Sequence, residues 1–204
     1  MKYTKIITGV VGAAVLVGAA YYLYSSGTIS FSGGSGAASA PSPTETPAFD
    51  LGAPPPGGAP APLVAEPRTP PAGYLEYRSD AYHFSLFYPN NLTVKTYDEG
   101  GGASTITFQN IKTAEGFQLY ITPYGGTQIS EQQFKRDEPS GVRTGVQNVT
   151  VGGVPAVSFY STNPALGDTA EVWFIRGGYL YEATSLKPLA SWFSNIMQTW
   201  QFTQ

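Results

Sequence analysis

Residues 73–204 read as an α+β domain, an antiparallel β-sheet carrying two helices. Three features of the sequence predict it. Short runs rich in Tyr, Phe, Val, Ile and Thr alternate apolar with polar residues at period two, the pattern of strands with one buried face. Glycine pairs and a glycine triplet separate these runs. Two other stretches carry helix signals, one through its start and stop residues and one through its apolar spacing.

In chain order, "YHFSLFY" (82–88) sets Tyr82, Phe84, Leu86 and Tyr88 on one strand face and His83, Ser85 and Phe87 on the other. "LTVKTYD" (92–98) follows the Pro89-Asn90-Asn91 turn. Beyond Gly100–Gly102, "STITFQN" (104–110) places Ile106 and Phe108 on one side, and "FQLYITP" (117–123) does the same with Phe117, Leu119 and Ile121. "ISEQQFKRDEP" (129–139) is a short helix: Ser130 with Gln133 forms a capping box, and Pro139 stops the run. "VQNVTVGGVPAVSFYS" (146–161) is a hairpin turning at Gly152-Gly153, and "AEVWFIRGGYLYEATS" (170–185) a second one turning at Gly177-Gly178. In "PLASWFSNIMQTWQF" (188–202), Leu189, Phe193, Ile196, Met197 and Trp200 form one apolar helical stripe, with Pro188 at its start and "WQF" as a last short strand. The long C-terminal helix must lay its stripe on one sheet face.

Two segments precede this domain. Residues 1–24 predict a membrane anchor: Lys2 and Lys5 come before an uncharged apolar run from Ile6 to Tyr24, about 28 Å long as a helix and so one bilayer core. Tyr21, Tyr22 and Tyr24 suit an interfacial belt, and the lysines favour a cytoplasmic N-terminus, which sends the C-terminal domain outside the cytoplasm. A cleaved signal segment is the rival reading, with "AASA" at 37–40 offering small residues to a peptidase, although far beyond the apolar run. Residues 25–72 hold 11 of the 17 prolines together with Gly, Ser and Ala. Such a segment cannot bury enough apolar area to offset its chain entropy and predicts a disordered linker, spanning roughly 40 Å as a coil.

The motifs "HFSLFYP" (83–89), "VTVGGVPAVSFYS" (149–161), "YLYEATS" (179–185) and "FSNIMQTWQF" (193–202), in this order, resemble the PsbP-like superfamily. That superfamily includes the photosystem II extrinsic protein, many bacterial relatives, and a Ran-binding nuclear import factor. The resemblance implies an αβα sandwich around an antiparallel sheet, and a role in binding or stabilising other proteins. It transfers no functional residue, and the anchor and proline-rich tether depart from the plant protein.

Composition excludes much chemistry. With no cysteine there are no disulfides, thiol nucleophiles or cysteine zinc sites, and one histidine leaves no His pair for zinc. A net charge of -3 argues against nucleic-acid binding. The loops "YDEGGG" (97–102) and "NPALGDTAE" (163–171) carry carboxylates without the spacing of a calcium loop. No nucleophile elbow or phosphate loop is present. His83, on the outer face of its strand with no partner in view, reads as structural. No catalytic, cofactor or metal residue is therefore expected.

The tyrosines are the remaining signal. Tyrosine combines large area with a polar tip and favours interfaces. Tyr120, Tyr124, Tyr179 and Tyr181 form the candidate interaction surface, unless helices cover both faces and make them core. The expectation is a membrane-anchored, extracytoplasmic, non-catalytic domain that binds or stabilises a protein partner. The alternative is a small-molecule or cell-wall glycan binder using exposed tyrosines.

Overall fold

A computed structural model of the chain describes residues 68–138, 140–163 and 166–203. The expected anchor (1–24) and the expected linker up to residue 67 lie outside them. Among the described residues no helix is long and apolar enough to cross a membrane.

The described strands form two sheets in which every pairing is antiparallel. The smaller holds β1 (Tyr74–Ser79), β2 (Phe84–Pro89) and β10 (Gln201–Phe202) in the order β1-β2-β10. The larger holds β3 (Thr93–Gly100), β4 (Ala103–Asn110), β5 (Glu115–Pro123), β6 (Thr144–Val151), β7 (Val154–Asn163), β8 (Gly167–Arg176) and β9 (Tyr179–Leu186) in the order β3-β4-β5-β9-β8-β7-β6. Helix α1 (Glu131–Asp137) comes between β5 and β6. A 3-10 turn at Lys187–Leu189 leads into α2 (Ala190–Met197), which precedes β10. Because β5 pairs with β9, the chain must leave the middle of the sheet after β5 and restart at its β6 edge, and α1 is part of that crossing.

Local signals account for most boundaries. Gly152-Gly153 and Gly177-Gly178 turn their hairpins with φ of 55°, 79°, 60° and 80°, the left-handed pairs a type I′ turn needs. At Gly152 space adds to the requirement, since a Cβ would stand 3.1 Å from the rings of Trp200 and Phe202. Ser130 caps α1 by accepting from the Gln133 backbone N–H at 3.1 Å.

The covering layers differ from the expected helix-on-sheet sandwich. The eight residues of α2 span about 12 Å, whereas seven strands about 4.8 Å apart make a sheet roughly 29 Å wide. One short helix cannot cover that face, and the three-stranded sheet shares the task. Phe84 and Leu86 from β2, Phe108, Phe117, Leu119 and Ile121 from the large sheet, and Phe193 from α2 are completely buried in one cluster. Each contributes about 1.5–3 kcal/mol by leaving water. Ring contacts tie the layers together: Tyr77 of β1 meets Phe108 edge to face at 5.1 Å, Phe84 stacks on Trp200 at 4.2 Å, and Phe117 meets Phe193 at 5.8 Å.

"YHFSLFY" departs from its expected alternation at two places. His83 is not on the strand. It ends the turn 80–83 ahead of β2, with φ 53°. Ser85 and Phe87, on the other face of β2, are buried as well. Arg68 explains this: its guanidinium lies 4.4 Å over the Phe87 ring and donates to Ser85 Oγ at 3.0 Å and to the Thr199 carbonyl at 2.5 Å. Ordered packing therefore begins within the last residues of the stretch read as linker.

Candidate functional site

A cleft of about 230 Å³ opens where the turn 80–83 meets the β8–β9 hairpin and the end of β10. Tyr82, His83, Arg176, Tyr179, Tyr181 and Phe202 are among the residues lining it. Pairing of Phe202 with Phe84 brings the C-terminal segment beside the turn, and the Thr203 N–H then donates to the His83 carbonyl at 2.8 Å. The Tyr181 hydroxyl donates to the Tyr82 carbonyl at 3.2 Å, while the Tyr82 hydroxyl donates to Ser104 Oγ at 2.8 Å. Tyr82 and Tyr179 meet edge to face at 5.2 Å. These contacts hold His83 in a left-handed conformation, which costs an L-residue about 1–2 kcal/mol, though histidine tolerates it better than most. Burial pushes the Tyr181 hydroxyl well above its ordinary pKa, so it serves as a neutral donor. Arg176 sits on the exposed rim, its guanidinium 4.7 Å over the Phe202 ring. Among the described residues it makes no ion pair. The cleft thus joins aromatic walls to one unneutralised cation.

The opposite face of the large sheet carries a second polar constellation. Ala170, Val172 and Phe174 of β8 belong to the main core, which turns Thr169, Glu171 and Trp173 the other way. On β9, Tyr181 and Ala183 face the core and Glu182 and Thr184 oppose them. The register sets Glu171 against Thr184 and Glu182 against Trp173 and Tyr120. Glu171 Oε2 accepts from Thr184 Oγ1 at 2.7 Å and from Trp173 Nε1 at 3.2 Å. Glu138, just past α1, accepts from the hydroxyls of Ser161 and Ser140. Phe134 of α1 seals this side by stacking on Trp173 at 4.8 Å, with Arg143 over its other flank at 4.0 Å.

All three glutamates are buried. Burial, with the charge of Glu138 adding to it, pushes Glu171 up to about 8. Burial, reinforced by the adjacent Asp137, holds Glu182 well above the usual carboxylate range, and burial also raises Glu138. Among the described residues Glu171 Oε1, Glu182 Oε1 and Gln118 Oε1 have no hydrogen-bond partner. Among the described residues no three His, Cys, Asp or Glu side chains are grouped to hold a metal.

The four tyrosines of the expected interaction surface separate. Tyr179 and Tyr181 line the cleft, Tyr179 half-buried and Tyr181 almost fully buried. Tyr120 lies on the carboxylate face, where burial raises its hydroxyl pKa. Tyr124 follows β5; its N–H donates to the Gly178 carbonyl at 2.7 Å and its hydroxyl to the Gln128 carbonyl at 2.9 Å. The loop carboxylates satisfy the chain's own donors: Asp98 takes the Gly100 N–H at 2.8 Å, Glu99 the Thr105 hydroxyl at 2.7 Å, and Asp168 pairs with Lys187 at 3.3 Å. Arg176 was hidden in sequence as the flank of a glycine turn. Glu171 and Glu182 were visible as polar residues in strand runs, but nothing local said that their face would be covered.

No family model and no curated protein matches the chain. In structure it is similar to the solution structure of cyanobacterial PsbP (CyanoP) from Synechocystis sp. PCC 6803, at 12% identity and a TM-score of 0.46, over 70% of this chain and 99% of that chain. It is also similar to a crystal structure from Bacteroides thetaiotaomicron VPI-5482, at 13% identity and a TM-score of 0.36, over 63% of this chain and 48% of that chain.

Proposed function

We propose that the chain is a non-catalytic binding domain for a protein partner outside the cytoplasm, held at the membrane by residues 1–24 and spaced from it by the proline-rich segment that follows. The observation that carries the binding reading is the cleft, where an arginine without a carboxylate partner stands beside tyrosine walls. Aromatic surface with a single guanidinium is recognition chemistry. The groups needed for reaction are not assembled there. Among the described residues no second side chain hydrogen-bonds the His83 imidazole, so nothing orients it as a base. The carboxyls with raised pKa are buried under α1, away from any substrate in solution.

Crosslinking the full chain in intact cells, against a control carrying residues 1–72 alone, tests this reading. One dominant protein attached through the folded domain and missing from the control is the expected result. Absence of any specific partner, together with turnover of a substrate by the purified chain, overturns it. Protease added outside intact cells is expected to remove the folded domain and leave a membrane-bound stub. A small molecule or cell-wall glycan is the second reading, favoured by Tyr82 and Tyr179 on the cleft wall. A glycan that changes tyrosine fluorescence in the absence of any protein partner would shift the function there.

A further inference from the structure

We infer that the cleft between the turn 80–83 and the β8–β9 hairpin binds a single carboxylate carried on a ring or short apolar stem, as a polypeptide presents at its C-terminal residue. The inference rests on the binding reading above and names the chemistry of its ligand.

Three observations carry it. First, the size: 230 Å³ is smaller than the roughly 300–1,000 Å³ of pockets that enclose whole small molecules, so the cleft admits an end group and not an oligosaccharide. Second, the charge: Arg176 is the guanidinium of the cleft, exposed and free of any ion pair among the described residues. Its planar fork matches a carboxylate with two parallel hydrogen bonds. Asp80, in the same turn as His83, makes no ion pair with either. One guanidinium in a chain of net charge -3 suits one negative charge at short range and not a polyanion steered from afar. Third, the preorganisation: the walls are fixed before any ligand arrives. Arg176 is seated on Phe202, Tyr82 is held through its hydroxyl and its carbonyl, and His83 is kept left-handed by the Thr203 N–H. A strained residue pinned in a cleft is a pattern associated with ligand contact, and His83 lines the same cleft as Arg176.

The test titrates the full chain in detergent with N-acetylphenylalanine, its amide, phenylacetate and inorganic phosphate, read by ligand-observed NMR. N-acetylphenylalanine is expected to bind roughly tenfold more tightly than its amide, the worth of one charge-assisted contact. Arg176→Gln should bring the acid down to the level of the amide and leave the amide unchanged. His83→Gly is the second variant. Glycine adopts φ 53° freely, so the fold is kept while the imidazole is lost, and affinity for the acid should fall several-fold with no loss of thermal stability. Phenylacetate binding well below N-acetylphenylalanine supports a chain end as the source; equal binding supports the carboxylate site and assigns it to a free small acid. Equal affinity for acid and amide, no effect of Arg176→Gln, or displacement of the acid by an equal concentration of phosphate each overturns the inference. A crosslinked partner that survives Arg176→Gln also overturns it for that partner, while leaving the protein-binding reading standing.

Discussion

On one face of the seven-stranded sheet, Phe108, Phe117, Leu119 and Ile121 meet the rings of Phe84, Trp200 and Phe193. On the other, the same strands present Thr105, Thr107, Gln118, Tyr120, Glu171, Glu182 and Thr184. Both faces are largely withdrawn from water, yet they are stabilised by different means. The first gains from apolar area and ring stacking, insensitive to pH. The second buries polar side chains whose hydrogen bonding is incomplete: among the described residues Thr107 Oγ1, Gln109 Oε1, Gln118 Oε1, Thr169 Oγ1, Glu171 Oε1 and Glu182 Oε1 have no partner. Keeping Glu171 and Glu182 protonated relieves it, because a neutral carboxyl gains an O–H donor and loses its buried charge. The comparison teaches that burial alone does not make a core. The cover must supply matching groups, and the short α1 supplies Phe134 over Trp173 but little for the carboxylates.

The comparison can be broken most severely at Phe84. Phe84→Ala removes a fully buried ring stacked on Trp200 and should cost about 3–5 kcal/mol in denaturant unfolding, with little change between pH 5 and 9. A cost below about 1 kcal/mol would remove the small sheet from the core.

The carboxylate face should respond to pH instead. Glu171 has a folded pKa of about 8 against 4.5 unfolded, so the native state keeps a proton that the unfolded chain releases. Its stabilising effect is complete below about pH 4.5 and is lost as pH rises through 8. Unfolding free energy should therefore fall by something on the order of 3 kcal/mol or more from pH 5 to pH 9, and Glu171→Gln should lessen that slope, leaving the part that Glu182 and Glu138 contribute. A flat profile in the unaltered chain would mean that both carboxyls are satisfied in their charged forms.

Smaller effects sharpen the contrast. Ser130→Ala removes the cap of α1 and should cost about 1 kcal/mol, with Trp173 fluorescence reporting a looser cover on the carboxylate face alone. Arg68→Ala loses two hydrogen bonds and a ring contact at the start of the ordered chain and should cost about 1 kcal/mol, without altering the pH slope.

Much of the fold was legible because its signals are local. Period-two alternation marked the strands, Gly152-Gly153 and Gly177-Gly178 marked the hairpins, and Ser130 marked the start of α1. His83 was misread because alternation was carried back from "FSLFY" into a turn, and a left-handed φ leaves no mark in a histidine. Arg176 and Phe202 are remote in sequence and become one site only when β10 pairs beside β2.

The sequence by itself determined where strands and turns fall, which residues could build a core, and that cysteine and paired-histidine chemistry is absent, since these depend on neighbouring residues and on composition. Only the tertiary structure decided which sheet face received the aromatic cover and which was left with buried glutamates. It alone brought Arg176 and His83 to one cleft, because covering and meeting depend on how distant segments pack, and packing is set by the whole chain at once.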